Sequence, residues 1–184
     1  MPLSAPDLIS APRVQLHRLM RADLEALLAV NGDPQVTQYL PYKAWTSLAD
    51  AEAWYLRMES LQQDGNAIQW VIERSDTRRA IGTCLLFRYE QANEAAELGY
   101  VLGREYWGKG WMSEALNAVI EWIFTSTPVR RLEAFVDGRN GASQRLLRRI
   151  GFVAEGTLRE RWNVGGALVD ANLYGLLRRE WRSP

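Results

Sequence analysis

The chain has 184 residues, 47% hydrophobic and 24% charged, with 22 Lys+Arg balanced by 22 Asp+Glu. That length suits one domain with a substantial core, and the composition excludes a disordered or low-complexity chain. Zero formal net charge speaks against a nucleic-acid partner, and no apolar run reaches the roughly 20 residues of a membrane helix, so no membrane partner is expected.

The first segment, Met1-Pro2-Leu3-Ser4-Ala5-Pro6-Asp7, has no basic cluster followed by an apolar block, so no signal peptide is expected. Val14, Leu16 and Leu19 mark a short strand after Pro12. Leu24, Leu27 and Leu28 recur at helical spacing within residues 21–30, and Asn31-Gly32-Asp33-Pro34 turns the chain. Pro41 breaks the next segment. Ser47 is placed to cap a helix carrying Ala53, Trp54, Leu56, Met58 and Leu61, which ends at Asp64-Gly65. From Ala67 the period changes to two. Ile68, Trp70 and Ile72 alternate, residues 81–89 form a second strand, and residues 97–102 a third. A Gly-rich loop follows, and then residues 112–124 read as a helix apolar on most sides, hence buried. Residues 132–136 read as a strand and 142–150 as a helix. Residues 152–177 then form a hairpin around Gly165-Gly166. This order predicts an α/β (α+β) fold in a single domain, residues 1–184, with a mixed sheet and helices on its faces.

Cys84 is the only cysteine and His17 the only histidine, so no internal disulfide, Cys-rich metal site or histidine triad is available, and no metal is expected. Such a chain suits a reducing cytoplasm. Cys84 stands in an apolar strand with no Lys or His beside it, so it reads as packing rather than as a nucleophile.

Chemistry concentrates in the loop Trp107-Gly108-Lys109-Gly110-Trp111-Met112-Ser113. A strand followed by glycines and a helix N-terminus offers free N–H groups to phosphate oxygens, and glycine lets them approach. As a nucleoside-triphosphate loop it fails, because Gly110 stands where a magnesium-binding Ser or Thr is needed. As a dinucleotide fingerprint it also fails, because Ser113 replaces the third glycine.

The stretch Glu97-Leu98-Gly99-Tyr100-Val101-Leu102, with Tyr106-Trp107-Gly108-Lys109-Gly110-Trp111-Met112-Ser113-Glu114-Ala115, resembles the cofactor motif of the GNAT acetyltransferase superfamily. Asn140-Gly141-Ala142-Ser143, followed by Gly151-Phe152 and Glu155-Gly156, resembles its second motif. Gly32-Asp33-Pro34-Gln35-Val36 and residues 170–177 add likeness to the ribosomal-protein N-terminal acetyltransferase branch.

The resemblance implies a mostly antiparallel sheet with two splayed parallel strands. It also implies acetyl-CoA as co-substrate, an amine acceptor such as a protein N-terminus, and a monomer or homodimer. It places the pyrophosphate on residues 107–113 and the pantetheine beside Tyr100, Val101 and Leu102, whose N–H groups would also hold the thioester oxygen. Glu97 matches the family's strand glutamate and becomes the candidate general base, or else a solvated strand carboxylate. Ser143 resembles the serine proposed to protonate the leaving thiolate in the N-terminal branch, or else is a plain first-turn helix residue; where many members have a tyrosine, this chain has Leu147. Asn140 reads equally as a pantetheine ligand and as a helix N-cap.

Tyr39, Tyr42 and Trp45 would border the acceptor groove or anchor their loop. Arg139, Arg145, Arg148 and Arg149 would meet the adenosine 3′-phosphate or form a solvated face. A free α-amine, with pKa about 8, is neutral in roughly a tenth of molecules at pH 7, whereas a lysine at about 10.4 needs 2 to 3 more units of help. One carboxylate therefore suits an α-amine. Small amines (polyamines, amino acids, aminoglycoside-like compounds) and a non-catalytic acyl-CoA sensor stand as the alternatives.

Overall fold

The computed structural model describes residues 5–65, 67–164 and 166–182. Gly165, half of the anticipated hairpin turn, and the first four residues of the N-terminal reading lie outside them. Among the described residues eight strands form one sheet, in the order β1-β2-β3-β4-β5-β6-β8-β7. They are β1 (Leu8–Ser10), β2 (Val14–Arg18), β3 (Ala67–Arg74), β4 (Ala80–Glu90), β5 (Ala95–Leu102), β6 (Arg131–Asp137), β7 (Val153–Val164) and β8 (Ala167–Leu177). Every neighbouring pair is antiparallel except β5 and β6. The expected mixed, mostly antiparallel sheet with one parallel pair is therefore the observed one.

The helices are α1 (Leu24–Asn31), α2 (Pro34–Thr37), α3 (Leu48–Gln63), α4 (Trp111–Ser126) and α5 (Gly141–Arg149). Period-two burial splits them between the faces of the sheet. Ile68, Trp70, Ile72, Ile81, Cys84, Leu86 and Leu98 share one core with α4 and α5. Val71 and Ala80 share a second core with Leu24, Leu27, Trp45 and Ala51. In α4 the buried positions Met112, Ala115, Leu116, Val119, Ile120, Ile123 and Phe124 follow the 3.6 period. Each large side chain buried there contributes about 1.5–3 kcal/mol.

Two short elements escape the sequence reading. β1 has three residues, too few to show a period. α2 begins at Pro34, read as a stop signal. Here Pro34 occupies the first helical position, where no N–H is needed, and Asp33 caps the helix by accepting from Gln35 N–H at 2.8 Å.

Candidate active site

The site grows from the way β5 pairs on its two edges. Along β4, its partners run in register from Glu97 opposite Phe87 to Leu102 opposite Gly82. Along β6, only Ala95, Ala96 and Glu97 have partners, namely Arg131, Leu132 and Glu133. β6 meanwhile keeps its full register with β8, from Arg131 opposite Leu177 to Asp137 opposite Ala171. β5 and β6 are thus each held by their outer neighbours, and past Glu97 the seam between them opens. A cavity of about 870 Å³ passes through it.

At one end the cavity meets the Gly-rich loop. Trp107, Gly108, Gly110, Trp111, Met112 and Ser113 line it. Gly108 and Gly110 have φ of 71° and 83°, the left-handed region where a side chain is strained. Gly110 is the N-cap of α4, so the N–H groups of the first turn have no helical acceptor. Lys109 does not line the cavity; its Nζ donates to the Glu105 carbonyl at 2.8 Å. Trp111 lies beneath two guanidinium groups, Arg13 at 4.4 Å and Arg74 at 5.1 Å from the ring centroid. Arg13 also donates through Nε to Glu114 at 2.6 Å, tying the β1–β2 turn to the first turn of α4.

The four arginines of the second motif separate. Arg145 and Arg149 line the cavity, and Arg149 Nη2 donates to Ser113 Oγ at 2.5 Å. Arg139 is paired with Asp137 at 2.6 Å, holding that carboxyl below the usual range. Arg148 lies over the Tyr174 ring instead.

Glu97 and Ser143 approach the opened seam from opposite faces. Glu97, Gly99 and Val101 alternate onto the face of Thr83, Leu85 and Phe87, their β4 partners. The Glu97 side chain is 13% exposed and accepts from Arg88 Nη1 at 2.8 Å. Arg88 sits within a β-bulge with φ of 51°, a distortion that aims its side chain at Glu97. Burial pushes the Glu97 carboxyl above its ordinary pKa, Arg88 opposes that rise, and Glu133 adds to it.

Leu98, Tyr100 and Leu102 alternate toward the other face, where α5 begins. Asn140 caps α5, its Oδ1 accepting from Ser143 N–H at 3.1 Å, and it also lines the cavity. The capping reading of Asn140 is therefore realised. Ser143 Oγ lies 2.6 Å from the Tyr100 hydroxyl. Val101 and Leu102 line the cavity, but the Leu102 carbonyl already accepts from the Trp107 indole at 2.8 Å. Leu147 is fully buried and presents nothing to the cavity. Cys84 is likewise buried, and its thiol is pushed far above the ordinary range, so it stays protonated and inert.

The far end of the cavity is aromatic. Tyr39, Tyr42, Trp54, Phe87 and Trp162 line it together with Glu97. Tyr42 is fixed by its hydroxyl, which donates to Asn31 Oδ1 at 2.9 Å. Trp45 is instead a core residue, packed on Trp54 at 5.3 Å between centroids. The sequence pattern assigns no site role to Phe87 or Trp162, and Trp54 figures there only as a helix residue. Phe87 had a usable signal, since a residue in register with Glu97 shares its face; Trp162, on a hairpin distant in sequence, had none. Among the described residues no cluster of three or more His, Cys, Asp or Glu side chains forms a metal site, and no helix is long and apolar enough to cross a membrane.

Residues 13–153 match the family model for the acetyltransferase (GNAT) domain. An uncharacterized N-acetyltransferase of Bacillus licheniformis, p20, is 36% identical over 169 residues, covering 92% of this chain and 95% of that protein. The ribosomal-protein-serine acetyltransferase of Escherichia coli is 34% identical over 114 residues, covering 62% and 63%. The spermidine N(1)-acetyltransferase of the same organism is 27% identical over 165 residues, covering 88% and 84%. Among solved structures, a ribosomal L7/L12 α-N-protein acetyltransferase in complex with coenzyme A superposes with a TM-score of 0.84 at 24% identity, over 92% of this chain and 97% of that one.

Proposed function

This chain belongs to the GNAT acetyltransferase family and is an acetyl-CoA-dependent acyltransferase; from that premise we propose that it acetylates the α-amine at a protein or peptide N-terminus, as a single-domain enzyme of the cytoplasm. The observation that carries the reading is the seam opened beyond Glu97, with the first-turn amides of α4 at one end and one partly buried carboxylate among aromatic rings at the other.

In this reading the first-turn N–H groups of α4 hold the pyrophosphate, helped by the helix dipole. The unpaired edge of β5 from Leu98 to Leu102 receives the pantetheine as a strand would, and Asn140 offers its amide nitrogen to it. A β5 N–H donates to the thioester oxygen as negative charge develops there. Glu97 takes the proton of the attacking amine, directly or through one water, and its raised pKa makes it a better base near neutrality. Ser143 presents its hydrogen to the leaving sulfur from the opposite face.

The acceptor end distinguishes amine classes. Of the carboxylates lining the cavity, Asp137 is neutralised by Arg139, and Glu97 already faces Arg88. A polyamine carries several ammonium groups and would find only one carboxylate there, already facing Arg88, with aromatic faces as its other partners. A peptide N-terminus brings one amine and an otherwise neutral backbone. The test is CoA release from acetyl-CoA with a panel of short peptides of varied first residue, set against spermidine, free amino acids and an aminoglycoside. Turnover with peptides well above that with spermidine is expected. Preference for spermidine would move the protein to the small-amine class, and no CoA release with any amine would point to a binding protein.

A further inference from the structure

Ser143 is a weak place from which to serve a leaving sulfur unless its hydrogen is aimed. A serine hydroxyl rotates freely, and its hydrogen follows whichever acceptor is nearest. Here the nearest polar atom is the Tyr100 hydroxyl, 2.6 Å away and within the usual O–H···O range. A phenol is the more acidic of the two hydroxyls, and its oxygen is the poorer acceptor because its lone pair is delocalised into the ring. Burial pushes the Tyr100 pKa up further, so it remains a donor throughout the working pH range. The hydrogen bond therefore runs from Tyr100 to Ser143 Oγ. Ser143 cannot return its own hydrogen along the same line, and the carbonyls one turn back, of Arg139 and Asn140, already accept from the Gly141 and Gln144 N–H groups. Both Tyr100 and Ser143 line the opened seam, so the free direction for the serine hydrogen is into the cavity.

We propose that Tyr100 is a positioning residue for Ser143: its phenol, rising from β5, donates to the serine oxygen and turns the serine hydrogen toward the sulfur released from acetyl-CoA. As the amine nitrogen bonds to the acyl carbon, the C–S bond breaks and its electron pair settles on sulfur. The amine proton leaves through Glu97 to solvent. The Ser143 hydrogen is shared with the sulfur while the charge develops, and the free thiol finally takes its proton from solvent. Tyr100 neither gains nor loses a proton; it polarises the serine and so makes it a stronger donor. This side-chain role differs from the backbone contact expected of Tyr100, and the two use different edges of the residue.

The proposal rests on the acetyl-transfer reading, and one of its tests needs no acceptor at all. Bound CoA can be titrated by the ultraviolet absorbance of its thiolate. A donor aimed at the sulfur lowers that thiol's pKa relative to CoA in solution, so the pKa is expected to rise in Tyr100→Phe, to rise in Ser143→Ala, and to rise no further in the double variant. Steady-state kinetics supplies the second reading. Tyr100→Phe should lower kcat about three- to tenfold, the scale of one hydrogen bond, with the KM for acetyl-CoA unchanged. In the Ser143→Ala background the same substitution should change kcat by less than about twofold, the non-additivity that marks residues acting as one unit. Tyr100→Phe keeps the ring, and a melting temperature within a few degrees of wild type separates this effect from damage to the fold. Equal losses in both backgrounds, a rise in KM alone, or a bound-thiol pKa indifferent to Tyr100 would each overturn the assignment. Absence of acetyl transfer in the wild type would sink the enzyme reading, while the thiol titration would still decide the fate of this one.

Discussion

The two edges of β5 share one stretch of sequence and have opposite fates. Toward β4 every residue from Glu97 to Leu102 has a partner, and Gly82 lies so close to the β5 backbone that it has no room for a side chain. Toward β6 the same residues have none beyond Glu97. Unpaired backbone groups on a strand edge are normally a liability, because they invite another chain to pair. Here the bare edge is enclosed between β6, α4 and α5, where a stray strand cannot reach it and an extended ligand arm can. The lesson is that the ligand groove is a missing piece of sheet. Its walls owe their rigidity to pairing elsewhere, above all the full β6–β8 register and the core beneath α4.

The sharpest way to break that comparison is at the branch point. Glu97 is the last residue of β5 paired on both sides, and Glu97→Gln keeps its shape and backbone bonds while removing the carboxylate proposed as base. The expected result is a loss of about 10²–10⁴ in kcat/KM for the acceptor, with acetyl-CoA affinity and urea midpoint nearly unchanged. A variant as active as wild type would remove Glu97 from the chemistry and leave the groove as a binding feature only.

Two glycines on neighbouring strands sharpen the contrast next. A Cβ at Gly82 would lie 2.2 Å from the Val101 carbonyl oxygen, so Gly82→Ala must push the paired edge apart, at a cost of about 3 kcal/mol or more in unfolding free energy. A Cβ at Gly99 would meet the Phe87 ring at 3.6 Å and the Leu85 Cβ at 4.0 Å, both ordinary contacts. Gly99→Ala should therefore keep or raise stability by up to about 1 kcal/mol, because it restricts the unfolded chain. Its methyl group would project into the acceptor end, however, and raise the acceptor KM severalfold. Denaturant unfolding and steady-state kinetics on both variants read the difference. Equal destabilisation of the two would mean that the groove face is as tightly packed as the paired edge.

Much of this architecture was legible in the sequence, and the limits were physical. Period two at Ile68, Trp70 and Ile72 and period 3.6 along α4 report burial directly, so the elements and their order emerged. The Gly-rich loop was legible because positive φ at Gly108 and Gly110 demands glycine, which leaves a mark in the sequence. The separation of Arg139 and Arg148 from Arg145 and Arg149 was not: tertiary packing brings Tyr174 to Arg148, and the local Asp137–Arg139 pair depends on how the turn between β6 and α5 is set. The same holds for Tyr100. Its backbone was expected at the seam from the motif, but which hydroxyl its phenol would meet depends on how α5 is set against β5. Nor was the side-chain partner of Lys109 legible: its Nζ donates to the Glu105 carbonyl, four residues back along the same loop.

The smallest expected effect concerns the charges that face Glu97, and it separates burial from pairing. Burial raises the carboxyl pKa, Glu133 and its negative charge raise it too, and the Arg88 and Arg161 cations lower it. The base works ionised, so turnover should fall as pH drops through this raised value. Arg88→Met removes the largest opposing influence and should move the acid limb of kcat/KM to higher pH, leaving the plateau close to wild type. Glu133→Gln removes a like charge and should move the limb the other way, by less, because its contribution is the smaller. Opposite shifts from the two variants are the signature of a titrating carboxylate at the mouth of the open seam. A limb that stays in place for both would mean that another group, away from the two edges of β5, sets the pH dependence.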